Sequence, residues 1–154
     1  EMISHATIDQ YIASFENSTS LLEKTFDEIE EKNSDLIDIL VGSHGEMLSD
    51  EEMDYLVFLF GVVYYSFSKQ NPVKEYSEEE IQNVEEEVWA FLNENNKFDE
   101  AIDHFYESMT EKEIVDFIEV SIGDIDDSEI KISESGRVIM LAVLIAETKL
   151  LSEV

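Results

Sequence analysis

The chain has 154 residues, of which 44% are hydrophobic, and this is enough for a single domain (1–154) with a buried core. It carries 38 acidic and 9 basic residues, which gives a formal net charge of −29. Because it has no cysteine, it cannot form a disulfide, a thiolate zinc site or a thiol nucleophile. The basic residues are scattered singly, so the sequence offers no basic patch for direct binding of nucleic acid or of an anionic membrane.

The two most apolar stretches are residues 53–67 and 138–146. Both are shorter than the roughly 18 residues that a membrane-spanning helix needs, and charged residues flank them. The sequence therefore predicts no contact with a membrane. No basic segment followed by an apolar one stands at its start, which favours a cytoplasmic location, although such a segment could have been removed before this numbering begins.

Apolar residues recur at every third or fourth position, and only one proline and five glycines interrupt the chain. This periodicity predicts an all-α protein. The predicted elements, in chain order, are a helix around 8–15, a helix around 22–29 capped by Asn17 or Ser18, a short piece at 36–41 that ends at Gly42, helices at 50–69, 78–94, 97–108 and 111–122, and a last helix from Ser133 or Ser135 to about 152. The segment 123–132 stays open between a loop and a short extended piece.

Three of these helices begin with the sequence of a capping box. In this motif a Ser or Thr side chain accepts a hydrogen bond from the third helical N–H, and a Glu three residues on reaches back to the first residue. The three pairs are Ser49 with Glu52, Ser77 with Glu80, and Thr110 with Glu113. Each pair predicts a helix start.

Two segments, 56–65 and 138–145, are apolar on every side of a helical wheel, whereas the other helices show one apolar stripe. A helix that is apolar all round needs neighbours on all sides. The sequence therefore predicts a compact bundle of seven or eight helices with these two at its centre. The alternative is that one flank of these helices forms the interface of a homodimer.

The helix predicted at 78–94 carries two glutamate triplets, 78–80 and 85–87, and no basic residue. At about 100° per residue, its apolar side chains share one arc and the glutamates form three parallel ridges on the rest of the surface. The first triplet benefits from the positive end of the helix dipole, whereas the second only adds repulsion. Trp89 lies at the border of the apolar arc, and would be a natural anchor for a partner if it were exposed.

A dense negative surface attracts a positively charged partner over about 8–10 Å, the Debye length in moderate salt. The first hypothesis is thus a non-enzymatic interaction protein that binds a basic protein as an inhibitor, an immunity-type antidote or a nucleic-acid mimic. The residues predicted to bind this partner are Glu78, Glu79, Glu80, Glu85, Glu86, Glu87, Trp89, Asp124, Asp126 and Asp127. The second hypothesis is a helical scaffold or dimerisation module that acts through apolar surface, while the acidic residues only form a solvated face.

Motifs for catalysis or metal binding are incomplete in this sequence, and we predict no cofactor and no metal. Glu100 and His104 stand four residues apart and could share a cation, which keeps a metal-dependent enzyme as a third hypothesis. Residues 124–135 resemble a calcium loop, but Glu129 replaces the glycine that its turn needs and Ser135 replaces the last ligand. His44, between two glycines, is predicted to lie in a turn.

Overall fold

The computed structural model describes residues 2–123 and 131–152. These ranges contain seven α-helices, one 3-10 turn and no strand, which confirms the predicted all-α bundle. The helices are α1 (His5–Asn17), α2 (Thr19–Leu40), α3 (Asp50–Gln70), α4 (Glu78–Glu94), α5 (Phe98–Ser108), α6 (Lys112–Ile122) and α7 (Glu134–Ser152). The 3-10 turn at Gly42–His44 lies between α2 and α3, which confirms the turn predicted around His44.

The second and third predicted elements are the two halves of one helix, α2. They meet at a break where Asn33 leaves helical geometry, with φ −139° and ψ 52°. The buried Asn33 side chain binds the segment before α4 instead: its Nδ2 donates to the Lys74 carbonyl at 3.0 Å, and its Oδ1 accepts from the Tyr76 N–H at 2.9 Å. The side chain thereby pairs two backbone groups that the helices leave free.

Two of the three predicted capping boxes are present. Ser49 and Glu52 cap α3, and Ser77 and Glu80 cap α4, each with both reciprocal hydrogen bonds. Ser18 stands at the N-cap position of α2, as predicted, but its side chain makes no capping hydrogen bond.

The prediction of a third capping box, formed by Thr110 and Glu113, was wrong. Helix α6 begins one residue late, with Glu111 at its N-cap and no side-chain cap. The glutamates there bind the start of the chain: Glu111 Oε1 accepts from the Ile3 N–H at 3.0 Å, and Glu113 Oε1 accepts from the His5 N–H at 3.3 Å. A long-range contact has replaced the local one.

Helices α3 and α7 form the centre of the bundle, as predicted. Every residue from Ile139 to Thr148 is buried, and α7 packs against α2, α3, α4, α5 and α6. None of the residues 56–65 of α3 is exposed. At Gly61, Leu22 and Phe26 of α2 come so close that a Cβ would lie 2.8 Å from Leu22 Cδ1. Helices of the same chain thus cover this stretch of α7.

The starts of α3 and α7 are joined by one buried carboxylate, that of Glu52. Its Oε2 accepts from the N–H and the hydroxyl of Ser133, both at 3.0 Å, while its Oε1 accepts from the Ser49 N–H at 2.9 Å. Burial by itself raises the pKa of Glu52, but the hydrogen bonds from Ser49 and Ser133 outweigh it, so the pKa is lowered. Glu52 is therefore an ionised link between the two central helices.

Within the described ranges, no helix combines the length and the apolar character that crossing a bilayer requires.

Candidate functional site

The glutamate-rich segment forms α4 with the predicted orientation. Its apolar stripe is buried against α2 and α7 through Ile81, Val88 and Leu92, while five of the six glutamates are exposed. Glutamate favours helix formation, and the first triplet lies at the positive end of the helix dipole, so this face forms in spite of its charge.

The sequence places no basic residue within this helix, but the fold brings lysines from outside α4 to one of the three ridges. Lys74, just before α4, places its Nζ 2.9 Å from Glu80 Oε2, and Lys149 of α7 places its Nζ 3.0 Å from Glu87 Oε1. Neither lysine belongs to α4. Each contacts its glutamate because the fold brings the two segments together. The Glu80–Glu87 ridge is thus paired with cations.

A second ridge is partly enclosed at its Glu85 end. The His44 Nε2 lies 3.7 Å from Glu85 Oε2, which is too far for a hydrogen bond. Burial lowers the pKa of His44, so the imidazole is neutral at pH 7. Burial, and then the neighbouring Glu86, raise the pKa of Glu85. Glu85 is therefore less suited to binding a partner than the sequence predicts, while Glu78, on the same ridge, is exposed and accepts from Gln82 Nε2 at 3.2 Å.

The third ridge, Glu79 and Glu86, is the outward one. Both side chains are exposed, and neither forms an ion pair with any residue that the structure describes. On α4, this ridge fits best the uncompensated surface that the sequence predicts.

Trp89 is half-buried and packs against the core, with its ring centroid 5.8 Å from that of His44. The turn at 42–44 therefore covers part of the indole. This agrees with a border position and offers little free surface for Trp89 as an anchor.

A second acidic surface, which the sequence reasoning missed, lies between α5 and α6. We call it the α5–α6 groove. It has a volume of about 210 Å³ and is lined by Ile102, Asp103, Tyr106, Val115, Asp116 and Glu119. Ile102 and Val115 are buried and form its floor, while the carboxylates come from both helices. Each helix alone shows only ordinary acidic positions, so the signal arises when the two helices pack.

The carboxylates of the groove repel one another. Burial raises the pKa of Glu119, and the neighbouring charges of Asp116, Asp103 and Asp99 raise it further. His5 contacts this surface, with its Nε2 3.1 Å from Asp116 Oδ2, and this is an ion pair only when the imidazole is protonated. Lys112 lies over the Tyr106 ring, but its Nζ donates to the carbonyls of Tyr106 and Glu107 at the end of α5.

The remaining candidates are placed as follows. His104 is exposed and stacks on Phe91 with a centroid distance of 4.1 Å, and it forms no hydrogen bond or ion pair with Glu100. In the described part of the chain, no three His, Asp or Glu side chains are arranged to hold a metal ion. The predicted partner-binding residues Asp124, Asp126 and Asp127, and most of the calcium-like loop, lie outside the described residues.

A partly apolar cavity of about 360 Å³ lies where α3 and α7 end. Phe67, Val73 and Leu151 line it together with the charged residues Lys74 and Glu111. Its wall is therefore mixed, and it is not the continuous apolar helix surface that a scaffold module requires.

Comparisons with known protein families, with curated proteins and with solved structures found no match to this chain.

Proposed function

We propose that the protein is a non-enzymatic interaction protein that binds a basic protein surface through the α5–α6 groove and the outward Glu79–Glu86 ridge of α4. The observation that carries this proposal is the groove, where burial and then the neighbouring carboxylates of two helices raise the pKa of Glu119, and no described lysine or arginine forms an ion pair with these carboxylates. A cation brought by a partner would remove this repulsion, which makes its binding favourable.

The shape of the groove supports a lysine side chain as the group that enters it. A lysine buries its methylene stem along apolar surface and keeps its ammonium near charge or water. Ile102 and Val115 offer that apolar floor, and Asp103 and Glu119 line the same groove. The net charge of −29 would speed the encounter with such a partner at low salt. An inhibitor, an immunity-type antidote and a nucleic-acid mimic all fit this chemistry, and a cytoplasmic location stays part of the proposal.

The alternative, a scaffold or dimerisation module, needs a continuous apolar surface. The large apolar side chains found exposed are Met2, Met47, Tyr106 and Val120. They belong to four different elements of the chain, which gives this alternative, and homodimer formation through apolar contacts, weaker support.

Binding of a fluorescent octalysine peptide, measured by anisotropy at low and moderate salt, tests the proposal. The groove variant carries Asp103→Asn, Asp116→Asn and Glu119→Gln. With about 0.5 kcal/mol for each partly exposed charge contact, we expect its affinity to fall roughly tenfold at low salt. The matched control removes three exposed charges of α2 through Glu23→Gln, Glu30→Gln and Asp38→Asn, and should lose less than about threefold, as expected from a general change in net charge.

Wild-type affinity should also weaken steeply as salt rises. Equal losses in the groove variant and the α2 control would show that the peptide responds to net charge alone and would overturn the groove as the site. Binding that ignores salt would contradict the electrostatic basis of the proposal altogether.

A further inference from the structure

A second carboxylate lies inside the bundle, and its surroundings differ from those of Glu52. Glu147 of α7 is 0% exposed, and neither of its side-chain oxygens has a hydrogen-bond partner among the residues that the structure describes. An ionised carboxylate without partners in such a place costs several kcal/mol, and proteins avoid this cost by keeping the group protonated. In agreement, burial raises the pKa of Glu147 well above its ordinary range.

Glu147 belongs to a buried polar cluster that reaches the break in α2. The Tyr64 hydroxyl of α3 is buried and has no hydrogen-bond partner within the described residues. Burial raises its pKa, the nearby Asn33 side chain lowers it, and Glu28 and Glu147 raise it when they are ionised. The Asn33 amide is already bound to the backbone of Lys74 and Tyr76. Asn33, Tyr64 and Glu147 thus connect the break in α2 with the centre of α7.

No charge from the surrounding helices compensates Glu147. Tyr64 faces the cluster from α3, and Glu28 of α2 contributes a negative charge near Tyr64. The Tyr76 hydroxyl, in the segment before α4, donates to the Leu150 carbonyl. Lys149, two residues along α7, forms its ion pair with Glu87 of α4. Of the described residues in α4, α5 and α6, none forms an ion pair or a hydrogen bond with Glu147.

We propose that Glu147 carries a proton in the closed bundle, and that loss of this proton opens the structure at the Asn33 break of α2 so that water reaches the carboxylate. This inference does not depend on the proposed function. The break is the favourable place for opening because helical geometry is already interrupted there. Opening there breaks the two hydrogen bonds that the Asn33 side chain makes with the backbone of Lys74 and Tyr76.

The direction of the pH effect follows from linkage. The opened form holds Glu147 at its ordinary pKa, near 4.5, whereas the closed form holds it well above that value. Opening therefore releases a proton at pH values between the two. In that window the opening equilibrium should rise about tenfold for each pH unit.

Hydrogen exchange measured by mass spectrometry tests this, with rates corrected for the intrinsic pH dependence of exchange. As pH rises above the ordinary glutamate pKa, near 4.5, we expect opening to increase about tenfold per pH unit in peptides that cover 34–40 and 140–148 of the wild type, until the pKa of the closed form is passed. Glu147→Gln should abolish this rise. Glu79→Gln, a change of the same type at an exposed position, should keep it.

A second variant, Glu147→Leu, removes the titrating group without leaving a buried amide, so a folding defect in Glu147→Gln alone does not decide the result. The proposal is overturned if both variants keep the wild-type pH dependence. It is also overturned if the rise is absent from 34–40, or if it is equal in all seven helices, since the latter shows global unfolding.

Discussion

The two ends of α7 hold carboxylates of opposite character. At its start, Glu52 reaches over from α3, is 5% exposed, and accepts hydrogen bonds from Ser49 and Ser133 that lower its pKa. Toward its other end, Glu147 is fully buried, accepts no hydrogen bond, and has a raised pKa. Burial is common to both, so the supply of donors decides which one is ionised.

The same rule distinguishes the acidic surfaces. Cations that the fold supplies pair with Glu80 and Glu87 of α4, whereas Glu119 of the α5–α6 groove has only carboxylates among the charges that shift its pKa. A run of acids in a sequence thus does not locate the least compensated charge. The packing of the helices does.

The largest expected effect concerns Glu52. In Glu52→Ala, three hydrogen bonds to a carboxylate are lost and the starts of α3 and α7 are no longer linked. We expect the free energy of unfolding to fall by about 3 kcal/mol in urea titrations at pH 7. Glu51→Ala, at the neighbouring exposed position, should change it by less than about 0.5 kcal/mol. Similar losses in the two variants would contradict the role of Glu52.

The next prediction uses pH to separate the two carboxylates. Because the pKa of Glu147 is raised, its contribution is fully present below the ordinary pKa and is lost as pH rises, by about 1.4 kcal/mol per pH unit within the window. Because the pKa of Glu52 is lowered, its contribution is present above the ordinary pKa and is lost as pH falls. Relative to wild type, Glu147→Gln should therefore gain stability as pH rises above the ordinary pKa, near 4.5, and Glu52→Gln should recover stability as pH falls below it. The contrast between the two carboxylates would be contradicted if, in urea titrations, the stabilities of both variants relative to wild type changed in the same direction with pH.

A smaller effect is expected at Gly136. A Cβ at this position would collide with the Glu52 carboxylate and lie 2.8 Å from Ser133 Oγ. Gly136→Ala should therefore displace Glu52 and cost about 1–2 kcal/mol of unfolding free energy. Gly45→Ala is the control, since the nearest atom to its Cβ would be 3.5 Å away, and it should be nearly neutral in the same thermal or urea measurement. A neutral Gly136→Ala would show that the Glu52 link is dispensable.

The smallest effect is expected on α4. Glu79 and Glu86 are exposed and have no ion-pair partner among the described residues, so the double change to glutamine should alter stability by less than about 0.5 kcal/mol. A loss above 1 kcal/mol in urea titrations would show that these side chains have a structural role, which would weaken their assignment to partner binding.

Local signals in the sequence predicted much of the fold. The capping boxes at Ser49 and Ser77 and the all-round apolar segments of α3 and α7 depend on neighbours in sequence or on composition, and they were confirmed. The predicted capping box at Thr110 does not form, because Glu111 and Glu113 instead accept hydrogen bonds from the backbone N–H groups of Ile3 and His5. That competition involves residues more than 100 positions apart and leaves no local pattern.

The charge arrangement was less predictable for the same reason. Lys74 and Lys149 compensate α4 through contacts six and 62 residues apart, and neither fits the four-residue spacing that identifies helical ion pairs. Asp103 and Glu119 meet only when α5 packs on α6. The sequence therefore indicated how much charge is uncompensated, and the fold determined where it lies.

The most direct test of this account is an NMR titration of the side-chain carboxyl carbons, performed with and without octalysine at low salt. Without peptide, Glu147 and Glu119 should titrate above the ordinary glutamate range and Glu52 below it. When the peptide binds, the pKa of Glu119 should fall because a cation now neutralises the groove, while that of Glu147 should not move. An unchanged pKa for Glu119 with the peptide bound would contradict the assignment of the α5–α6 groove as the binding site.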